Sequence, residues 1–429
     1  MNAEELLNRK RPIYFPVYAG GVITFMDKYN HDYELMRQKY NNFPKSFRVW
    51  VDEEEDKYFY YPFALFSAFH NANMDAKADY TMDPTKMLLF GDSGGFQVAT
   101  GKAKPSTWNR EKHLAWAEKN ASITPILDTP VLTQGVTFNQ ALEQSYENAK
   151  WIAENRHSDS PLRVLNVVSG VGFNVNRTWI DKMAEVELDG WAHGGGIDIV
   201  TEYILPICFL LHKGIYSPNM KKPLIHHFFG IGSPSAFVFS SYIQKVLNRL
   251  GIPVQISHDS STASSYIKTA TYIVNISMKG TEKFSMSKLD LDLKEKYREL
   301  QNSGIHLGCD CPVCKTITEI SDIVHEKNFV DYYLFYWMHN VYMQVRFKNH
   351  IDFIIDTENF RIFEEMFGKP MCRAFKLIDK MLEKPETVTE DPGNHLMGAL
   401  REEVNLIMNN GKKARRTVQG TSLNSFFGD

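Results

Sequence analysis

Short apolar runs recur along this chain. Each ends in polar or glycine-rich residues, and most are followed by a stretch with helical spacing. Eight of them read as strands: Ile13–Tyr18, Phe63–Ala68, Met87–Asp92, Ile123–Asp128, Leu162–Ser169, Gly190–Gly194, Leu224–Gly230 and Val254–Asp259. From the third strand onward the connections carry helix-like segments, among them Trp108–Lys119, Ala141–Glu154, Trp179–Val186 and Ala236–Leu250. Strands that alternate with helices predict parallel βαβ units. Eight such strands within about 260 residues predict an α/β chain closed into a (β/α)8 TIM barrel, with a doubly wound open sheet as the competing arrangement. About 45 residues separate the first two strands, too many for a plain connection, so an insertion is expected at 19–62. Past Asp259 the pattern changes. Tyr272–Met278 reads as an extra strand. Residues 301–350 hold a cysteine cluster and an aromatic helix over Asp331–Phe347. Residues 351–429 read as a helical extension with a basic run, Lys412–Arg416, and a Ser/Gly/Phe tail. The expected units are therefore a barrel over 1–300, a small subdomain with the last barrel helix over 301–350, and the extension over 351–429.

In a barrel, reactive groups gather where the strands finish. The ends here are Asp92, Asp128, Ser169–Gly170, Gly194–Gly195–Gly196, Gly230 and Asp259. Carboxylates supply proton transfer and nucleophilic attack. Glycines let a flat ligand approach the backbone. Each aspartate alone reads as well as a cap on its own turn or on the next helix, but three on one mouth point to a site. His193, His226, His227 and His258 also fall near strand ends. No His-x-His follows the first strand and no acidic–histidine ligand set emerges, so these four read as satisfied polar groups of the mouth.

Composition narrows the function classes. With 43% hydrophobic and 23% charged residues, a sizeable core is expected and wholesale disorder is excluded. The net charge of −3 means that any nucleic-acid contact comes from a local basic patch. Lys102–Lys104 and Lys412–Arg416 are the candidates, and each reads equally well as solvated charge. The start, MNAEELLNRKRP, lacks the apolar core of a signal peptide. The longest apolar run, Tyr203–Leu211, is far short of the roughly 20 residues of a membrane span. A cytoplasmic protein without a membrane partner is expected. Five cysteines do not build a disulfide scaffold. Three of them form Cys309-x-Cys311-x-x-Cys314, which predicts a closed, structural zinc site with its fourth ligand drawn from His306, His325 or His339.

Three features together resemble the tRNA-guanine transglycosylase superfamily over about residues 12–345: Asp-Ser-Gly-Gly-Phe-Gln at a strand end, a later strand-end aspartate, and the cysteine run with a histidine about 25 residues on. The resemblance implies a (β/α)8 barrel with a zinc subdomain inserted before the last helix, and exchange of a guanine in nucleic acid for a 7-deazaguanine. It implies Asp92 as general acid/base, Asp259 as nucleophile and Asp128 as the reader of the guanine edge. Gly195 and Gly196 match the backbone facing the base carbonyl, and Phe96 and Phe229 flank the base plane. Ser93, Ser169, Gly170 and Gly230 complete the implied substrate-binding set. The implied zinc ligands are Cys309, Cys311, Cys314 and His339, the last within Trp-Met-His-Asn.

Two departures from the family pattern carry information. Ser169-Gly170 stands where the family has Gln-Gly. The run Asp259–Tyr266 has no arginine, where tRNA enzymes carry Pro-Thr-Arg and a second arginine. The chain is thereby closer to the DNA-acting branch of bacteria and their phages. The expected reaction is a double displacement through a covalent aspartyl-glycosyl intermediate. DNA is the expected polymer, guanine and a preQ0-like base are the small substrates, and tRNA is the alternative polymer. A non-catalytic zinc-containing subunit that positions nucleic acid is the third reading. The family also implies a homodimer, or partner proteins of a DNA-modification system, in a bacterial or phage-infected cell.

Overall fold

The structure is a computed structural model that describes residues 2–18, 22, 26, 48–51, 59–101, 107–131, 133–194, 200–267, 271–285, 311–316 and 329–408. Its centre is eight strands: β1 (Ile13–Pro16), β2 (Phe63–Ser67), β3 (Leu88–Asp92), β4 (Ile123–Pro125), β5 (Arg163–Ser169), β6 (Gly190–Gly194), β7 (Leu224–Phe228) and β8 (Val254–Ser260). They pair in parallel in the order β1-β8-β7-β6-β5-β4-β3-β2. A parallel bridge between Val17 and Leu65 closes β1 onto β2, with the Tyr18 N–H donating to Leu65 O at 2.9 Å. The fold is a (β/α)8 barrel with a helical C-terminal part. All residues of β1 and β8 are buried, as in strands covered on both faces; β1 reads as an apolar run, while β8 carries buried polar groups from Gln255 to Ser260.

Thirteen named helices follow in chain order among the described residues: α1 (Ala3–Leu7), α2 (Ala76–Tyr80), α3 (Gly95–Ala99), α4 (Arg110–Asn120), α5 (Phe138–Asn155), α6 (Phe173–Met183), α7 (Val200–His212), α8 (Pro234–Arg249), α9 (Thr262–Ile267), α10 (Phe329–Asp356), α11 (Phe360–Phe367), α12 (Lys369–Glu383) and α13 (Glu386–Thr389). A further helical stretch covers 395–408. Local chemistry starts several of them. The Asn109 side chain accepts from the Lys112 N–H to open α4, Thr137 and Gln140 form a reciprocal capping box on α5, and Ser233 caps α8 ahead of Pro234.

The boundaries differ from the sequence reading at instructive places. β1 stops at Pro16, which has no N–H to give the ladder. β4 stops at Pro125, and the Asp128 N–H turns back onto Ile126 O at 3.0 Å. The apolar run Tyr203–Leu211 lies within α7, whose buried Ile204, Leu205, Ile207, Cys208 and Leu210 explain its composition. The extra strand is β9 (Thr271–Ser277), which pairs antiparallel with β10 (Gly280–Ser285). Of the expected insertion, Val22, Met26, Val49, Trp50 and Tyr61 are described and buried. Most of the remainder lies outside the described residues, as do Lys102–Lys104 and Lys412–Arg416.

The long helix α10 is tied to the barrel by buried polar groups. Ser241 Oγ of α8 donates to Asp352 Oδ1 at 2.7 Å and the Tyr14 hydroxyl of β1 donates to Gln344 Oε1 at 2.6 Å, while within α10 Lys348 Nζ meets Asp352 Oδ2 at 2.5 Å. The extension continues this contact: the Tyr242 ring of α8 stacks on Phe375 of α12 at 3.8 Å. The β1–β2 seam is filled by Tyr18, whose ring stacks on Phe66 at 5.0 Å and meets Trp337 edge-on at 4.5 Å. No described helix is long and apolar enough to cross a membrane.

Candidate active site

Asp92 is the last residue of β3, Asp259 the penultimate residue of β8, and Asp128 lies three residues past β4. Because all strands are parallel, these ends face one mouth. Asp92 is electrostatically coupled to both other acids. Burial, then the charge of Asp259, then that of Asp128, push the Asp92 carboxyl from its ordinary 3.8 to about 7, against the pull of the Gly94 and Ser93 N–H groups. Burial likewise raises Asp128 to about 7, against its own N–H.

Asp259 is only 7% exposed and is held from one side. Its Oδ1 accepts the Gly230 N–H at 2.8 Å and lies 3.3 Å from His227 Nε2. Two N–H donors on one oxygen suit a carboxylate acceptor. Oδ2 has no hydrogen-bond partner among the described residues. Gly230 sits at φ +70°, a conformation that glycine adopts without strain, and this turn aims its N–H at Asp259. A pair of carboxyls in which one is anchored by donors and the other is raised toward neutrality can divide nucleophilic and acid/base work.

The other residues singled out from sequence fall around this centre with unequal exposure. Ser93 is buried: its carbonyl accepts the Trp108 indole N–H at 2.7 Å and its Oγ accepts the Gly95 N–H at 3.3 Å. Gly95 packs on Asp128 so closely that a Cβ there would stand 2.6 Å from Asp128 Oδ1. Ser169 is buried and its Oγ accepts the Val131 N–H at 3.2 Å, while the Gly170 N–H donates to Gly194 O at 3.3 Å. The Phe229 ring lies 4.6 Å from that of His227 and 5.8 Å from that of Phe90. Gly195, Gly196 and the Phe96 side chain lie outside the described residues.

The four histidines part company. His227 pairs in register with Ser257 and points into the barrel, its ring stacked on Phe90 at 4.1 Å. His226, His193 and His258 turn the other way, toward Tyr216, Tyr203 and Phe237. Burial holds His193 down to about 4 and His258 to about 3, so both are neutral. The site contact of His227 was missed from sequence, yet a signal for it existed. Residues i and i+2 share a strand face, so an inward Asp259 makes Ser257 inward, and Ser257 faces His227 across the ladder.

Away from the mouth, Cys311, Cys314 and His339 are buried, with one donor atom from each within 4.8 Å of the others. The two Sγ atoms lie 3.2 and 3.3 Å from His339 Nδ1. His339 Nε2 is 2.8 Å from Ile273 O. That carbonyl can only accept, so Nε2 carries the proton and Nδ1 is left as the donor atom facing the sulfurs. Such a sulfur–imidazole set with an oriented ring fits a structural metal. Cys309, His306 and His325 lie outside the described residues.

The family model described as "TGT: Queuine tRNA-ribosyltransferase" matches residues 82–371, which take in the acids and the cysteine cluster. Among curated proteins none matches the chain.

Proposed function

The chain belongs to the queuine tRNA-ribosyltransferase family, and on that premise we propose that it exchanges a guanine in DNA for a 7-deazaguanine base. The observation that carries this assignment is the acid pair at the strand ends. Asp259 is anchored through Oδ1, while Asp92, beside it, is raised to about 7 and holds a proton near neutrality.

In the first displacement Asp259 Oδ2 bonds to C1′ as the C1′–N9 bond breaks, and the departing guanine takes the proton of Asp92. In the second, the incoming base gives its N9 proton to Asp92. Its N9 then bonds to C1′ and returns the electron pair of the C1′–Oδ2 bond to Asp259. Two inversions give overall retention. Asp128 accepts the N1–H and exocyclic amine of guanine, donors that a 7-deazaguanine shares. These two donors offset the cost of ionising a buried carboxyl. Adenine lacks the pair and would leave Asp128 unmatched. A stacked duplex hides C1′ and the base edge, so the target nucleotide is flipped out or single-stranded. Zinc on Cys311, Cys314 and His339, with Cys309, would supply folding energy to the subdomain and take no part in the exchange.

DNA is favoured by the segment after the nucleophile. Ser260–Tyr266, including most of α9, offers no cation to read an anticodon loop. The family's name favours tRNA, which is the second reading. Incubation of the protein with labelled guanine and either DNA or tRNA decides between them. Label in DNA that is lost in Asp259→Ala is the expected result. Label in tRNA alone would move the assignment to the second reading, and exchange undiminished in Asp259→Ala would end both.

A further inference from the structure

We propose, on the assignment of Asp259 as nucleophile, that His227 is a positioning residue that selects the attacking oxygen and eases release of the carboxylate in the second displacement. A carboxylate only accepts, so the contact of 3.3 Å from His227 Nε2 to Asp259 Oδ1 places the ring proton on Nε2. Nδ1 of the neutral ring then accepts the Ser257 hydroxyl at 2.9 Å. Burial lowers the affinity of His227 for a second proton more than Asp259 restores it, so the ring stays neutral. Phe90 and Phe229 hold its plane. The chain Ser257–His227–Asp259 thus fixes tautomer and ring orientation together.

The consequence lies in the asymmetry of the carboxyl. Oδ1 carries two donors, His227 Nε2–H and the Gly230 N–H, and Oδ2 carries none among the described residues. Oδ2 is therefore the oxygen free to bond C1′, and Oδ1 becomes the ester carbonyl. When the C1′–Oδ2 bond breaks, its electron pair returns to the carboxyl and negative charge spreads back onto Oδ1. The two N–H groups already point there, so they stabilise the departing carboxylate without rearranging. Removing one donor aimed at developing charge costs about 10²–10³ in rate where the donor is short. The longer His227 contact places the expected loss nearer 10–100-fold.

The test compares His227→Phe, which keeps a ring on Phe90 and deletes the donor, with His227→Gln, which restores an N–H. Base exchange is measured under steady state with labelled 7-deazaguanine, and melting is followed in parallel. The expected result for His227→Phe is a kcat about 10–100-fold lower with KM for the base within about twofold, and for His227→Gln recovery of most of kcat. An unchanged kcat in His227→Phe overturns the proposal. So does a His227→Gln variant as slow as His227→Phe, since that marks a packing role. Should His227→Phe fail to fold, Ser257→Ala frees the tautomer and is expected to lower kcat several-fold at constant KM; no change there also overturns it. Asp259→Ala separates the two levels. If it is inactive while His227→Phe is unimpaired, only the role of His227 falls; if it exchanges normally, the nucleophile assignment itself falls.

Discussion

Asp92→Asn replaces a carboxyl that the fold raises from 3.8 to about 7 with a neutral group of nearly the same shape. Each tenfold change in proton affinity is about 1.4 kcal/mol, so keeping Asp92 ionised in the native state costs about 4 kcal/mol. The direction follows from linkage. A carboxyl whose proton is held more tightly in the native than in the unfolded chain stabilises the fold at low pH, and that stability is lost as pH rises from about 4 to about 7. Asparagine does not titrate. The variant should therefore gain little on the native protein at pH 4, about 2 kcal/mol at pH 5 and about 4 kcal/mol by pH 8. Unfolding entropy near 2.1 cal/mol/K per residue amounts to about 0.9 kcal/mol/K for 429 residues, so the gap in Tm should widen by about 3 °C between pH 5 and pH 8. Calorimetric scans of both proteins at matched ionic strength measure it. A gap that stays constant with pH would refute the raised proton affinity that burial and the two neighbouring acids give Asp92. Asp259→Asn removes the neighbour with the larger effect on Asp92 and should move the midpoint of the widening to lower pH.

Other perturbations test the remaining links. Purified protein should carry about one zinc per chain by atomic absorption, and Cys314→Ser should lose the metal and melt lower; a metal-free native protein with the same Tm would overturn the site. Lys348→Met leaves Asp352 buried without its cation and should cost about 3–5 kcal/mol in urea unfolding, most of it regained in Lys348→Met/Asp352→Leu; a loss under 1 kcal/mol would mean that Lys348 does not compensate the buried charge of Asp352. Gly95→Ala puts a methyl group within contact of Asp128 Oδ1. It should raise KM for the base about tenfold with a smaller effect on kcat, and an unchanged KM would separate Asp128 from base binding.

Much of the barrel was legible because the strands are largely buried and several, such as Phe63–Phe66 and Leu88–Phe90, read as plain apolar runs. Several strand ends were legible for the opposite reason: an aspartate or a glycine terminates the runs at Asp92, Asp128, Gly194, Gly230 and Asp259. Helix α7 was less visible. It is apolar nearly all round and carries Pro206, so neither helical periodicity nor a break-free run announced it. Asp128 was placed on a strand, but two prolines bracket its segment and its N–H bonds backward, a local preference that a hydrophobic count does not register. His227 was grouped with three other histidines because adjacent His226 and His227 look alike in sequence. Only the pairing with β8 tells which of them enters the barrel.

The seam between β1 and β2 has a mechanical consequence. Around the ring, β8 with Asp259 stands next to β1, and β3 with Asp92 stands next to β2, so the seam that closes the wall runs between the arms that carry the two acids. A single Val17–Leu65 bridge and the wedge of Tyr18 against Phe66 and Trp337 brace that gap. Any breathing of the wall there would first be felt as a change in the span between the acids, which makes Tyr18, a residue outside the chemistry, the strut that gauges it.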